Sequence, residues 1–189
     1  MSDLVKRCTW VDETNAMYCQ YHDEEWGIPV YNDKKLFEML TLELFQSGLS
    51  WITILKKREA FRTAFDDFDI EKISMYDDQK VKDLLSNARI IRNHKKIEAT
   101  IQNAKVVSMI QQEFNSFANY IWHFTSNEVI VLNDDVPIKE TALSKVVAKD
   151  LKRRGMKGIG SMVAFSYLEA IGVYNHHSCT CFKYKKIVR

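Results

Sequence analysis

Glycine and proline are scarce in this chain of 189 residues, with six of the first and two of the second. That argues against a β-sandwich, a barrel or a disordered polymer, all rich in turn residues. No apolar run approaches the ~18 residues that a membrane span needs. The opening MSDLVKRCTW has no signal-peptide apolar stretch, so a reducing, cytoplasmic setting is expected. There, four cysteines read better as ligands or free thiols than as disulfides. Neither sign of charge dominates, and a net +2 says little about partners. No repeat, low-complexity segment or linker stands out. What is present is 46% hydrophobic content, enough to bury a sizeable core.

Capping residues and helical spacing predict an all-α chain of many short helices. Asn32 or Asp33 opens a helix over LFEMLTLELF, and a second runs from about Ser50 to Phe65. Asp69 and Asp77 open two short helices, the latter through Leu85. A longer one spans Asn93 to about Glu113, with Ile97, Ile101, Ala104 and Met109 as its apolar stripe. Ser116 caps FANYIWHF, Thr141 caps ALSKVVAKDLKRR, and Ser161 to Ile171 forms the last helix. Residues 1–31 are expected to be irregular. Residues 127–140, with Val129, Ile130, Val131 and Pro137, read as an extended crossing loop carrying a short strand.

The stretch from Leu36 to Arg58 organises the rest. Leu36, Leu40 and Leu44 share one helical face, and Glu43 falls on that face with them. A carboxylate aimed at a core is costly unless something pairs with it. Gly48 breaks the pattern, and Ser50 caps a helix that opens with Trp51. An acid beside a large ring suits a flat, electron-poor cation. On this stretch alone, a Glu reaching a helix terminus or a buried Arg is the simpler reading.

Residues 144–171 place two helical patterns around Gly155-Met156-Lys157-Gly158-Ile159-Gly160. The glycines permit a tight turn that Ile159 plugs, and Gly158 and Gly160 let backbone amides approach a phosphate at the start of the following helix. Lys152, Arg153, Arg154 and Lys157 surround that point. The pattern suits a helix-hairpin-helix element gripping a nucleic-acid backbone, though an ordinary αα-hairpin has the same glycines. Two further basic groups, Lys56-Lys57-Arg58 and Arg89 with Arg92, Lys95 and Lys96, read singly as solvated helix faces.

Cys8, Cys19 and His22 stand near one end of the sequence, and His176, His177, Cys179 and Cys181 near the other. Two Cys and two His suit tetrahedral zinc, and a closed shell of four is structural. Spacing leaves the choice open. His177 with Cys181 and His176 with Cys179 are both feasible pairs, and either Cys8 or Cys19 can join His22. Such an ion would staple the two ends together.

Arg7-Cys8-Thr9-Trp10, Tyr21 to Pro29 (YHDEEWGIP), Lys35 to Met39, Leu42-Glu43, Gln46 to Trp51 (QSGLSW) and Asn87 to Arg92 (NARIIR) carry a resemblance. From Arg7 to about Phe182, the chain resembles the bacterial 3-methyladenine DNA glycosylase I family. The resemblance implies a helix-hairpin-helix DNA glycosylase fold in a single unit over 1–189. The hairpin element would lie at about 144–171, and the stapled terminal segments at about 7–26 and 173–182. It implies hydrolytic removal of N3-methyladenine from alkylated double-stranded DNA by a monofunctional enzyme, with free 3-methyladenine and an abasic site as products.

The family's zinc ligands fall on Cys8, His22, His177 and Cys181, which leaves Cys19, His176 and Cys179 as bystanders. Its base-pocket residues fall on Tyr21, Trp26, Glu43 and Trp51, with Tyr18 near them. The simpler reading of Glu43 is thereby replaced by base recognition, with a secondary catalytic role toward the sugar or the water. Gly48, Leu49, Arg154, Lys157, Gly158, Gly160 and Ser161 are the expected DNA contacts, with Leu49 a candidate wedge into the gap left by a flipped base. The expected protein is a monomer with no membrane partner. The catalytic Asp of most superfamily members is missing, as it is in this family, and Glu169 is expected to lie outside the pocket. Leu44-Phe45 replaces a small or polar pair, and the tail from Lys183 carries no assignment. A lyase acting through Lys157, or a zinc-stapled DNA-binding module without catalysis, are the rival expectations.

Overall fold

The computed structural model describes residues 5–132 and 138–184. Pro137 lies outside the described residues. The chain is mainly helical, as expected. Its elements run α1 (Ala16–Glu24), α2 (Asp33–Gln46), α3 (Trp51–Ala64), α4 (Ile70–Ser74), α5 (Asp78–Ser86), α6 (His94–Phe114), α7 (Phe117–His123), α8 (Ala142–Arg153) and α9 (Ser161–Ala170). Two short strands, β1 (Ile130–Val131) and β2 (Tyr174–Asn175), pair in parallel with Ile130 opposite Tyr174. The strand expected within 127–140 is therefore present at 130–131.

Helix starts follow the capping residues. The side chains of Asn32, Asp69, Asp77, Asn93, Ser116 and Thr141 each accept a backbone N–H of the following turn. Ser50 stands at the start of α3 without capping it, its hydroxyl turned to that of Thr53 at 2.8 Å. Two expectations fail. The segment before Val30 is not wholly irregular, because Asn15 accepts from Met17 and Tyr18 and so nucleates α1. Met109 is exposed, since the buried stripe of α6 continues through Val107 and Ile110 instead.

α2 is the central rod, packed by α3, α6, α7 and α9. Every residue from Leu36 to Phe45 is buried, so the helix has no solvent face along that stretch. Asp33, in its first turn, also accepts from the backbone N–H groups of Phe117 and Ala118, both at 2.8 Å, which fixes α7 across its start. Leu44 lies against the turn after α8. A Cβ on Gly158 would meet its Cδ1 at 2.4 Å, and φ there is +74°, so glycine is required on both counts. The terminal segments meet where the Phe182 N–H donates to the Lys6 carbonyl at 2.9 Å. No helix among the described residues is long and apolar enough to cross a membrane.

Candidate functional site

Glu43 stands in the last turn of the central rod, only 5% exposed. No hydrogen-bond donor or cation holds its carboxylate among the described residues. Burial, and next the charge of Glu169, push it up to about 8. Glu169 was expected outside the pocket, yet its charge reaches Glu43 and Tyr21. It is held by the His176 ring nitrogen Nδ1 at 2.5 Å, and burial raises its own titration. His176, a bystander in the metal assignment, thus has a partner of its own.

The charge of this acid reaches the phenol of Tyr21, which belongs to a group of packed aromatic rings. Tyr21, at the buried face of α1, lies 5.1 Å from the ring of Trp51, the first residue of α3. Burial, and next the Glu43 charge, hold the Tyr21 phenol well above its ordinary range. The indole N–H of Trp51 is buried without an acceptor. Trp26 takes a different position from Tyr21. Its ring contacts are with Trp10 at 4.9 Å, His22 at 6.1 Å and His177 at 4.7 Å, so it backs onto the Cys/His cluster. Tyr18 is half-buried and meets Trp10 edge-on at 6.2 Å. Trp10 itself, 40% exposed, touches Tyr18, Tyr21, His22 and Trp26 and was missing from the expected pocket. Its signal was its place two residues after Cys8, which carries it wherever Cys8 is fixed.

A second acid of α2 has the opposite surroundings. Glu38 is also buried, and Arg58 Nε donates to it at 2.7 Å and Arg62 Nε at 2.9 Å. The remaining fork of Arg58 holds both oxygens of Glu25, at 2.7 and 2.8 Å, and Lys35 Nζ joins Glu25 at 2.8 Å. Bidentate pairing of this kind fixes direction as well as distance. Through Glu25, the C-cap of α1, one guanidinium therefore joins α1, α2 and α3, the helices that carry Tyr21, Glu43 and Trp51. Sequence reading grouped Arg58 with a solvated basic face, and the structure corrects this.

Cys8, His22, His177 and Cys181 meet with their ligand atoms all within 4.8 Å of one another, and all four are buried. Cys8 Sγ is 3.4 Å from His177 Nδ1, and Cys181 Sγ is 3.4 Å from His22 Nε2 and 3.6 Å from His177 Nδ1. A tetrahedral N/S shell has edges of roughly 3.3 to 3.8 Å, so the donors fit a metal of zinc's size. Cys19 and Cys179 stand outside the group. His22 Nδ1 lies 2.7 Å from Asp23, which Arg7 Nη2 holds at 2.7 Å, the outer-shell arrangement that orients a ligating imidazole. Burial pushes the Cys8 thiol up to about 11 and His177 down to about 4. A divalent cation would offset the first by favouring thiolate, whereas the second already favours the neutral imidazole that ligation needs.

The expected DNA contacts occupy two turns. Gly48 and Leu49 follow α2, and Leu49 is 40% exposed. Lys96 Nζ donates to the carbonyls of Phe45 and Ser47 at 2.9 and 2.8 Å, which fixes this turn against the start of α6. In the second turn, Lys157, Gly158 and Gly160 are exposed and Ile159 is buried, plugging the hairpin as expected. Asn103 of α6 clasps the turn, accepting the Lys157 N–H at 2.7 Å and donating to its carbonyl at 3.1 Å. Arg154 does not face open solvent with a free charge. Glu113 and Asp150 both pair with it, and it lies over the rings of Phe114 and Tyr120. The Ser161 hydroxyl donates to Glu140 at 2.5 Å.

Comparison with known proteins gives one consistent result. The family model described as methyladenine glycosylase matches residues 10–184. DNA-3-methyladenine glycosylase 1 of Escherichia coli K12 is 39% identical over 184 residues, covering 94% of this chain and 97% of that protein. A crystal structure of 3-methyladenine DNA glycosylase I aligns with TM-score 0.89 and 41% identity over 94% of this chain and 98% of that one. The enzyme of Staphylococcus aureus, solved for its recognition of 3-methyladenine, aligns with TM-score 0.89 and 35% identity over 93% and 95% of the two chains. The chain belongs to the methyladenine glycosylase family.

Proposed function

We propose that this protein excises N3-methyladenine from alkylated double-stranded DNA by hydrolysing the N-glycosidic bond, a step of base-excision repair. The carrying observation is Glu43, buried and unpartnered among the described residues, its charge felt by the Tyr21 phenol, whose ring packs on Trp51. The relatives' names and a relative solved in complex with 3-methyladenine support the same substrate. A base within a duplex is out of reach, so the nucleotide must be flipped out at a cost of a few kcal/mol.

N3-methylation places a positive charge on the adenine of the nucleotide and weakens its bond to the sugar. When that bond breaks, its electron pair goes to the base and neutralises it. A water adds to the sugar carbon and gives up a proton. The leaving group needs no strong acid, and the task of the protein is selection. A desolvated carboxylate favours the charged base over neutral adenine, because Coulomb terms grow as water is excluded. Tyr21 and Trp51 stack on the electron-poor ring, as aromatics do on cations. Tyr18 and Trp26 support that wall, and Leu49 fills the gap in the duplex. Glu43 acts chiefly in recognition and secondarily toward the cationic sugar. The turn at 155–160 serves as a helix-hairpin-helix grip on the DNA backbone through Gly158, Gly160 and Ser161. We also assign a structural zinc to Cys8, His22, His177 and Cys181, where it would tie the segment bearing Trp10 and Tyr21 to the segment after β2. The enzyme acts as a single unit and a monomer in the cytoplasm.

The test is release of free 3-methyladenine from methylated DNA with no cofactor added, followed by chromatography. Release by the wild type and its loss in Glu43→Gln are expected. Absence of released base overturns the reading, and a borohydride-trapped adduct overturns its monofunctional form. Elemental analysis of the purified protein should give one zinc per chain, and Cys181→Ser should lose it.

A further inference from the structure

The fold divides the basic residues first suggested for DNA binding, engaging the two arginines at the end of α8 and leaving Lys157 free. Arg153 and Arg154 both pair with Asp150, and Arg154 also with Glu113. Arg92, Lys95 and Lys157, in contrast, are exposed and have no acid partner among the described residues. Lys95 and Lys157 come from separate places in the sequence but converge on one surface, and Arg92 stands two residues before the start of α6. Lys95 and Lys157 line the same open groove of about 470 Å³, together with Glu98, Ala99 and Gln102. The acid in that lining, Glu98, is paired with His94 at 3.2 Å.

The groove lies between the two turns already assigned to DNA. On one side, Lys96, the neighbour of Lys95, fixes the carbonyls that precede Gly48 and Leu49. On the other, Asn103 clasps the Lys157 backbone, and Gln102 Nε2 donates to the Gly155 carbonyl at 3.4 Å. The loop leading into α6 is held as well, since Lys57 Nζ donates to the Arg89 carbonyl at 2.9 Å. A duplex that reaches from the Leu49 turn to the hairpin has to pass over the start of α6.

We propose that Arg92, Lys95 and Lys157 form a phosphate track across the start of α6, and that this track, rather than the end of α8, carries the electrostatic grip on the DNA backbone. The proposal rests on the glycosylase reading. Its occupant is double-stranded DNA, recognised through its backbone charge and not its sequence.

The experiment uses the full chain and a duplex carrying one stable abasic-site analogue, with affinity measured across a salt series. In Arg92→Ala/Lys95→Ala, the slope of log affinity against log salt should fall by about 2, and in Lys157→Ala by about 1. Affinity for free 3-methyladenine and the melting temperature should stay at wild-type values in both. Lys72→Ala, an exposed and unpaired lysine of α4, should leave the slope unchanged. A double variant that keeps the wild-type slope overturns the track, as does an equal loss in Lys72→Ala. Wild-type protein that neither binds the duplex nor releases base overturns the glycosylase reading itself, a distinct result.

Discussion

Glu38 and Glu43 lie five positions apart on one buried helix and have opposite surroundings. Glu38 is held by two guanidinium groups, and Glu43 is held by nothing among the described residues. A buried acid with partners is part of the frame. One without partners stores an unfavourable ionisation, which a cationic ligand can relieve. The difference separates architecture from recognition more clearly than burial does, since both are buried.

The sharpest way to break the contrast is at its shared frame. Arg58→Met leaves Glu38 and Glu25 without their fork, and a loss of about 3–5 kcal/mol is expected in denaturant unfolding. Glu43→Gln should act in the opposite direction. Burial raises the folded-state titration of Glu43 to about 8, against about 4.3 in an unfolded chain. The neutral form is favoured by the fold, so its stability is fully present below about pH 4 and is lost as pH rises through 8. At pH 8 the Gln variant should be more stable than wild type by about 2–4 kcal/mol, with the gap closing near pH 4, while base release is abolished. A variant less stable than wild type at pH 8 would mean that Glu43 has a structural partner after all.

Glu38→Gln sharpens the pair from the other side. It should cost about 1–3 kcal/mol with no gain at any pH, as two guanidinium groups lose a charged acceptor. The smallest effect belongs to Glu169→Gln. Removing that charge should move the Glu43 titration below 8, as read by carboxyl-carbon NMR, with little change in unfolding. An unmoved titration would leave burial as the sole cause.

Which features the sequence disclosed follows the range of the interactions behind them. Asn32, Asp77, Asn93 and Thr141 cap helices through amides two or three residues away, so local reading found those starts. The four Cys/His positions came from likeness to a family, because spacing alone left rival pairs open. The contrast between Glu38 and Glu43 was not legible at all. The partners of Glu38 arrive from α3, and no rule of helical spacing says which of two acids they will meet. The ion pairs of Arg154 were hidden for the same reason, since one of its acids, Glu113, lies on another helix. Trp10 stood inside a recognised motif, but its rings of contact appear only when α1 folds beneath it.

The join between Lys6 and Phe182, with the four buried ligands beside it, has a consequence for synthesis. Tyr21 leaves the ribosome early, but the wall it belongs to cannot be braced until Cys181 has also emerged. The nascent chain therefore carries an unfinished cleft while the residues between Tyr21 and Cys181 are made, and the wall is braced in one step once the second segment joins the first.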